Sequence, residues 1–183
     1  MDAHGAAQSW RYAYARQAVS DFQVYALLSR EGNLPACHRM HYLQMSLEKA
    51  AKAHYWSGSG AAATKSKVNR SHEVAQKYLP AVYKAYWYEK RGKTPIPGNV
   101  LKAAKLLCQE VDLLAPAVHD ETQRPDNCEY PWAVVDGEET TAVHSPLDHL
   151  FAPEDMVRQP GTSGFLKAVL ASVNEIVAQG PPT

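Results

Sequence analysis

Two histidines in the stretch CHRMHYLQMSLEKAAKAHYW, residues 37–56, are the first candidates for chemistry. His38 and His41 are three residues apart, so on a helix both imidazoles lie on one face, where they can share a metal ion. A complete site inside a helical bundle needs further ligands, and the candidates are His54, His72, Glu48 and Asp112. Neither HExxH nor a paired ExxH motif is present, and we therefore predict no metal ion and no cofactor.

A second set of candidates is basic and surrounds the same stretch. Lys49 and Lys52 are predicted on the outward face of the helix, and basic residues recur just before the next helix. Lysine and arginine charges, with backbone amides at a helix N-terminus, bind phosphate, so a nucleotide or an RNA backbone is the predicted ligand. The predicted ligand-binding residues are His38, His41, Lys49, Lys52, Lys65, Arg70 and His72. The alternative is a weak surface pair between Glu48 and Lys52 beside solvated lysines.

Sequence motifs for nucleophilic catalysis are missing. The chain has no GxSxG, no GxxxxGK[ST] and no GxGxxG after a strand. Cys128 is the one cysteine expected in a loop, but the sequence places no evident base beside it. Metal-independent RNA cleavage needs a base and a cation, for which His72 and Arg70 are the candidates.

The elements that position these residues are predicted to be helices. Residues 6–30 have aromatic and apolar residues at helical spacing, and the stretch 37–56 forms a second helix behind a short connection. The second helix has a core-facing stripe, which contains Met40, Leu43, Leu47, Ala50, Ala51 and His54. Its opposite face carries His38, His41, Tyr42, Met45, Lys49, Lys52 and Trp56. Bulky groups on both faces indicate a helix that is central in a bundle.

The remainder of the chain predicts three more helices and one long irregular segment. Ser71 is a candidate N-cap for a third helix that ends at Gly92, and Asn99 caps a fourth. Pro80 interrupts the third helix, so that either the helix kinks there or a second segment begins. Residues 119–160 lose the helical period and are rich in proline; we expect aromatic and apolar residues to pin them to the bundle, namely Tyr130, Trp132, Leu147, Leu150 and Phe151. Within that segment WAVVDGEETTAV favours a small β-hairpin.

These elements define the predicted fold class and domain. Ser163 caps a last helix over residues 163–179. We predict one all-α domain over residues 1–183, an up-and-down bundle of about five helices, with a helical core at 6–118 and the segment 119–160 as its covering. A tract of small residues and lysines after Trp56 is predicted to be a mobile loop.

Composition restricts the classes of partner. Nineteen basic and nineteen acidic residues cancel, so nucleic-acid binding would depend on a local patch rather than on net charge. Three widely spaced cysteines fit reduced thiols better than a disulfide framework. With neither a membrane-length apolar run nor a signal-peptide pattern, we expect a cytoplasmic protein without membrane contact.

Aromatic residues on the first and third helices suggest a different function. They are Trp10, Tyr14, Tyr83, Tyr86 and Trp87. Such residues are enriched at protein interfaces, and they predict a homodimer surface of a structural or interaction module. The alternative is a core rich in tyrosine.

The pattern HYLQMSLEKAAKA, followed by SHEVAQKYLP and then EVDLLAPAV, resembles the HEPN domain family over roughly residues 12–118. The resemblance implies an up-and-down helical bundle, usually dimeric, in proteins linked to nucleotide binding or RNA cleavage and often to toxin–antitoxin and defence systems. Ribonucleases of that family carry an arginine, four to six residues, then a histidine. Here Arg39 and His41, like Arg70 and His72, are only two positions apart. We therefore expect a noncatalytic module that binds a nucleotide, RNA or a protein, with an RNase as the alternative.

Overall fold

The chain forms a mostly helical bundle with one small β-hairpin. The computed structural model describes residues 3–57, 71–92, 94–115, 127–136 and 139–181. Within them the elements are α1 (Ala3–Leu28), α2 (Ala36–Tyr55), α3 (Ala75–Arg91), α4 (Gly98–Asp112), β1 (Trp132–Asp136), β2 (Glu139–His144), a 3-10 helix (Pro146–Asp148), α5 (Ala152–Met156) and α6 (Pro160–Ala178). The predicted all-α bundle is confirmed, with α5 as a short addition. None of the described helices is long and apolar enough to cross a membrane.

Helix α2 is the central element of the bundle. It packs against α1, α3, α4 and α6. Its predicted core stripe is confirmed, because Met40, Leu43 and Leu47 are at most 1% exposed. The prediction for its opposite face is wrong at two positions: Lys52 and Trp56 are buried instead of outward. Since several helices surround α2, a face that would meet solvent in a surface helix is covered here.

Helix α3 begins later than predicted and is not interrupted. It starts at Ala75 and has no side-chain cap of its own, so the predicted Ser71 cap is wrong. Pro80 lies inside the helix without ending it. Proline removes one intrahelical hydrogen bond, but burial of Pro80 and of its neighbour Leu79 offsets that loss. The predicted end at Gly92 is confirmed by its φ of 63°, a conformation that glycine adopts readily.

The other helix starts differ from the predictions by one to three residues. Helix α4 begins at Gly98 after the N-cap residue Pro97, instead of after Asn99. Helix α6 begins at Pro160 rather than beyond Ser163, because proline suits the first helical position, where its missing N–H loses no bond. Beyond Ser57, the predicted mobile loop after Trp56 lies outside the described residues.

The predicted hairpin is confirmed. Strands β1 and β2 pair antiparallel, with Trp132 opposite His144. The ring centroids of Trp132 and His149 are 5.0 Å apart, and those of His149 and Phe151 are 4.7 Å apart. Trp132 and Phe151 are buried and hold this segment to the bundle, as predicted.

For three other residues of the segment, the prediction of pinning contacts is wrong. Tyr130 is 60% exposed, Leu147 55% and Leu150 86%. Since two aromatic anchors already fix the segment, these side chains remain at the surface, and they become candidates for contact with a ligand or partner.

Candidate ligand cleft and buried polar network

The residues predicted to bind a ligand do not converge on one site. His38 and His41 line a cleft at the N-terminal part of α2. Lys52 lies about 21 Å from His38 and about 17 Å from His41 along that helix, at 1.5 Å per residue, in a buried network that includes His72. Lys65 and Arg70 lie outside the described residues. The described part of the predicted surface is therefore divided between separate places.

Glu48 is the centre of the buried network. Its carboxylate accepts hydrogen bonds from Lys52 Nζ at 2.6 Å, Gln44 Nε2 at 2.8 Å and His72 Nδ1 at 2.8 Å. Burial opposes ionisation of Glu48, but the hydrogen bonds and charges of Lys52 and His72 outweigh it and lower the pKa of Glu48. The Lys52 side chain is only 4% exposed, so this ammonium is not presented to a phosphate in solution.

Lys49 lies between α1 and α2 and is also paired. Its Nζ is 2.7 Å from Asp21 Oδ2, and Gln17 donates to the other oxygen of that carboxylate at 3.0 Å. The Lys49 side chain is 15% exposed and that of Asp21 6%. This ion pair neutralises the second lysine of the predicted basic face and ties α1 to α2.

Asp112, at the end of α4, caps the N-terminus of α3. Its two carboxyl oxygens accept from the backbone N–H of Ala75 at 3.1 Å and of Gln76 at 3.0 Å. Burial raises the pKa of Asp112 to about 7, while the two backbone hydrogen bonds oppose that rise. This contact replaces the predicted cap and has a structural role.

The cleft is formed between α2 and the segment that carries the hairpin. Its volume is about 450 Å³. One wall consists of residues from α2, and the other of residues on either side of the hairpin. Its lining includes Cys37, His38, His41, Tyr42, Cys128, Glu129, Tyr130 and Leu147. The cleft thus combines imidazoles, thiols, one carboxylate and aromatic rings.

A local turn fixes the second wall of the cleft. Asn127 Oδ1 accepts from the backbone N–H groups of Glu129 at 2.9 Å and Tyr130 at 2.7 Å. The Cys128 thiol faces the carbonyl of Leu114 at 3.5 Å. Burial, with the charge of Glu129, raises the pKa of Cys128 to about 12, so the thiol is protonated at neutral pH. A reactive thiolate is therefore disfavoured at this position.

The segment that carries the hairpin exposes apolar side chains and is acidic in sequence. In the part of the chain described, five large apolar side chains are more than half exposed, and four of them lie between residues 130 and 150: Tyr130, Val143, Leu147 and Leu150. From residue 129 to residue 150 the sequence contains neither lysine nor arginine but five acidic residues, which are Glu129, Asp136, Glu138, Glu139 and Asp148. A cationic, apolar ligand complements such a surface, whereas a phosphate does not.

The aromatic residues predicted as a dimer surface belong mostly to the core. Tyr83 is 3% exposed and packs edge-on against Phe165. Three others, Tyr14, Tyr86 and Trp87, are partly buried against the core. Trp10, at 45% exposure, stacks on Trp56. This placement favours the alternative of a tyrosine-rich core, and the homodimer surface stays a prediction.

Sequence reasoning did not connect the two walls of the cleft. In the sequence Cys128 has no evident partner and Glu129 belongs to no motif, whereas the structure places both beside His41. The sequence signal for this site is the adjacent pair of potential ligands, cysteine and glutamate, in NCEY. Only the fold brings this pair to α2, which lies far away in the sequence.

No protein-family model matches the chain, and no curated protein or solved structure is significantly similar to it.

Proposed function

We propose that the chain is a noncatalytic, HEPN-like binding module whose cleft receives a basic and apolar segment of a partner protein. The observation that carries this proposal is the exposure of Tyr130 and Leu147 at the cleft, within a stretch that has five acidic residues and no lysine or arginine. A cognate protein of a toxin–antitoxin or defence pair is the kind of partner that the family resemblance implies.

Burial of apolar side chains would supply most of the affinity. Tyr130 precedes β1 and Leu147 follows β2, so both lie at the open end of the hairpin and line the cleft, where one inserted side chain of the partner can contact both. Removing a large apolar side chain from water contributes about 1.5–3 kcal/mol. The acidic residues would add orientation and a faster encounter with a basic partner.

Pairing of the two lysines favours a protein ligand over a nucleotide or RNA. Lys49 is neutralised by Asp21, and Lys52 by Glu48. Moving either ammonium to a phosphate would leave a largely buried carboxylate without its counter-charge, which is unfavourable. Binding of a nucleotide or RNA is instead one of the alternative outcomes of the experiment below.

Selection of peptides from a displayed random library will test the preference of the cleft. We expect the enriched peptides to combine lysine or arginine with aliphatic or aromatic residues, and their binding to weaken as salt rises. Replacing Leu147 or Tyr130 by serine should reduce the affinity for such a peptide about tenfold, measured by fluorescence anisotropy, because apolar contact is lost while charge is unchanged.

Leu27→Ser is the matched control for these variants. Leu27 is 57% exposed but lies on α1, so its replacement should leave peptide affinity unchanged. Enrichment of acidic peptides, or equal binding by all three serine variants, would contradict the proposal. Saturable binding of short RNA that Lys49→Ala abolishes would favour the phosphate surface instead. A dimer mass in light scattering that Leu147→Ser reduces to a monomer would identify a second copy as the occupant.

One contact favours RNA cleavage as a second candidate function. Glu48 holds Nδ1 of His72, whose side chain is 38% exposed, in the arrangement by which a carboxylate orients a general base. Under the leading proposal we expect RNA to stay intact with excess protein and a metal chelator, as judged on a denaturing gel. Cleavage that His72→Ala abolishes, while Tyr130→Ser retains it, would establish the RNase instead.

A further inference from the structure

Three potential metal ligands meet at the floor of the cleft. A ring nitrogen of His41, the Sγ atom of Cys128 and a carboxylate oxygen of Glu129 all lie within 4.8 Å of one another. His41 comes from α2, while the other two residues follow Asn127 on the opposite wall. Imidazole, thiolate and carboxylate together are a donor set typical of zinc and other divalent transition metals, and not of calcium or magnesium.

The Nδ1 atom of His41 lies beside Glu129 and has no hydrogen-bond partner among the described residues. His41 Nδ1 is screened from solvent and makes no hydrogen bond within the described residues. It lies 3.5 Å from Glu129 Oε1. In a tetrahedral zinc site, bond lengths of 2.0–2.2 Å place a nitrogen and an oxygen ligand about 3.4 Å apart. The separation therefore suits two atoms that share one ion.

We propose that His41, Cys128 and Glu129 form a binding site for a divalent transition metal ion, with zinc as the expected occupant. The Asn127 turn fixes the backbone of Cys128 and Glu129, and Glu129 is at the surface, where its side chain can rotate to complete the geometry. Three protein ligands leave a fourth position toward the cleft, where His38 also lies.

Metal binding at this site requires the loss of one proton. The Sγ–H bond of Cys128 breaks, sulfur bonds to the ion, and the proton passes to solvent, so no oxidant or reductant takes part. Binding should therefore weaken as the pH falls. The prediction of no metal ion rests on helical partners for His41 alone, whereas the fold supplies the Cys-Glu pair from another segment.

Titration of the metal-free full chain with Co²⁺ will test the site. We expect one equivalent to bind with a thiolate-to-cobalt charge-transfer band and the visible bands of a tetrahedral ion. Cys128→Ser should abolish the charge-transfer band. His41→Ala and Glu129→Gln should each lower zinc affinity at least about tenfold in competition with a chromophoric chelator.

Cys108→Ser is the matched thiol control, because Cys108 is buried in α4 and does not line the cleft. This variant should bind cobalt as the wild type does, and circular dichroism will confirm that each variant is folded. Absence of a charge-transfer band in the wild type, or its persistence in Cys128→Ser, would overturn the proposal. The proposal does not depend on peptide binding, since Glu129→Gln can lose zinc while Tyr130 and Leu147 still bind the peptide.

Discussion

Replacing Glu48 by alanine will lower the free energy of unfolding by about 3–5 kcal/mol, as expected when one partner of a buried ion pair is removed. The Glu48 side chain is 7% exposed, and that of Lys52 4%, at a separation of 2.6 Å. The variant keeps the Lys52 ammonium inside the bundle but removes its carboxylate counter-charge and the acceptor of Gln44 and His72. Urea denaturation of the wild type and of Glu48→Ala at neutral pH will measure the difference in unfolding free energy.

Two further variants distinguish loss of the ion pair from simple loss of packing. The double replacement Glu48→Leu with Lys52→Met removes both charges and fills similar volume, so it should recover most of the loss. Asp21→Ala breaks the pair with Lys49, whose side chain is 15% exposed and closer to water, and should destabilise by less. If the double variant is as unstable as Glu48→Ala, the buried charge is not the cause.

Local sequence signals predicted the helices and the hairpin well. The apolar stripe of α2 is set by helical periodicity, and the Trp132–His144 pairing follows from β-favouring runs around an Asp-Gly turn. The start of α3 was mispredicted because its cap comes from Asp112, which belongs to another helix. Periodicity also placed Lys52 outward, since it shows which residues share a face but not how many faces neighbouring helices cover.

The candidate site was much less predictable than the fold. His38 and His41 were identified by spacing, and both line the cleft. Cys128 and Glu129 reach them only through tertiary packing of an irregular segment, for which no periodic rule fixes side-chain directions. The same limitation explains Tyr130 and Leu147, which were expected to pin the segment and are instead exposed.

His54 is partly buried and neutral. Its Nε2 is 2.9 Å from Ser172 Oγ, whose own proton is donated to the carbonyl of Val169 at 2.8 Å. The hydroxyl oxygen must therefore accept, which makes Nε2 the protonated nitrogen of a neutral imidazole. Burial, with the charge of Arg11, lowers the pKa of His54 from 6.5 to about 4.

This lowered pKa should make the fold less stable in acid. Between pH 6.5 and about pH 4 the unfolded chain binds a proton at residue 54 that the folded chain does not, so stability falls as the pH falls. This difference between the pKa of His54 in the unfolded and the folded chain corresponds to about 3 kcal/mol of unfolding free energy. His54→Gln retains an N–H donor for Ser172 but cannot titrate, and its unfolding free energy should lose that part of the acid dependence in denaturant melts.

Comparing the wild type with His54→Gln separates the contribution of His54 to the pH dependence of stability from that of Asp112. The raised pKa of Asp112, about 7, acts in the opposite direction, because the folded chain keeps a proton that the unfolded chain has lost, and stability then rises as the pH falls toward 4. Both proteins contain Asp112, so its contribution cancels in the difference between them. If the difference in unfolding free energy between the wild type and His54→Gln stays constant from pH 7 to pH 4, His54 titrates alike in the folded and unfolded chains.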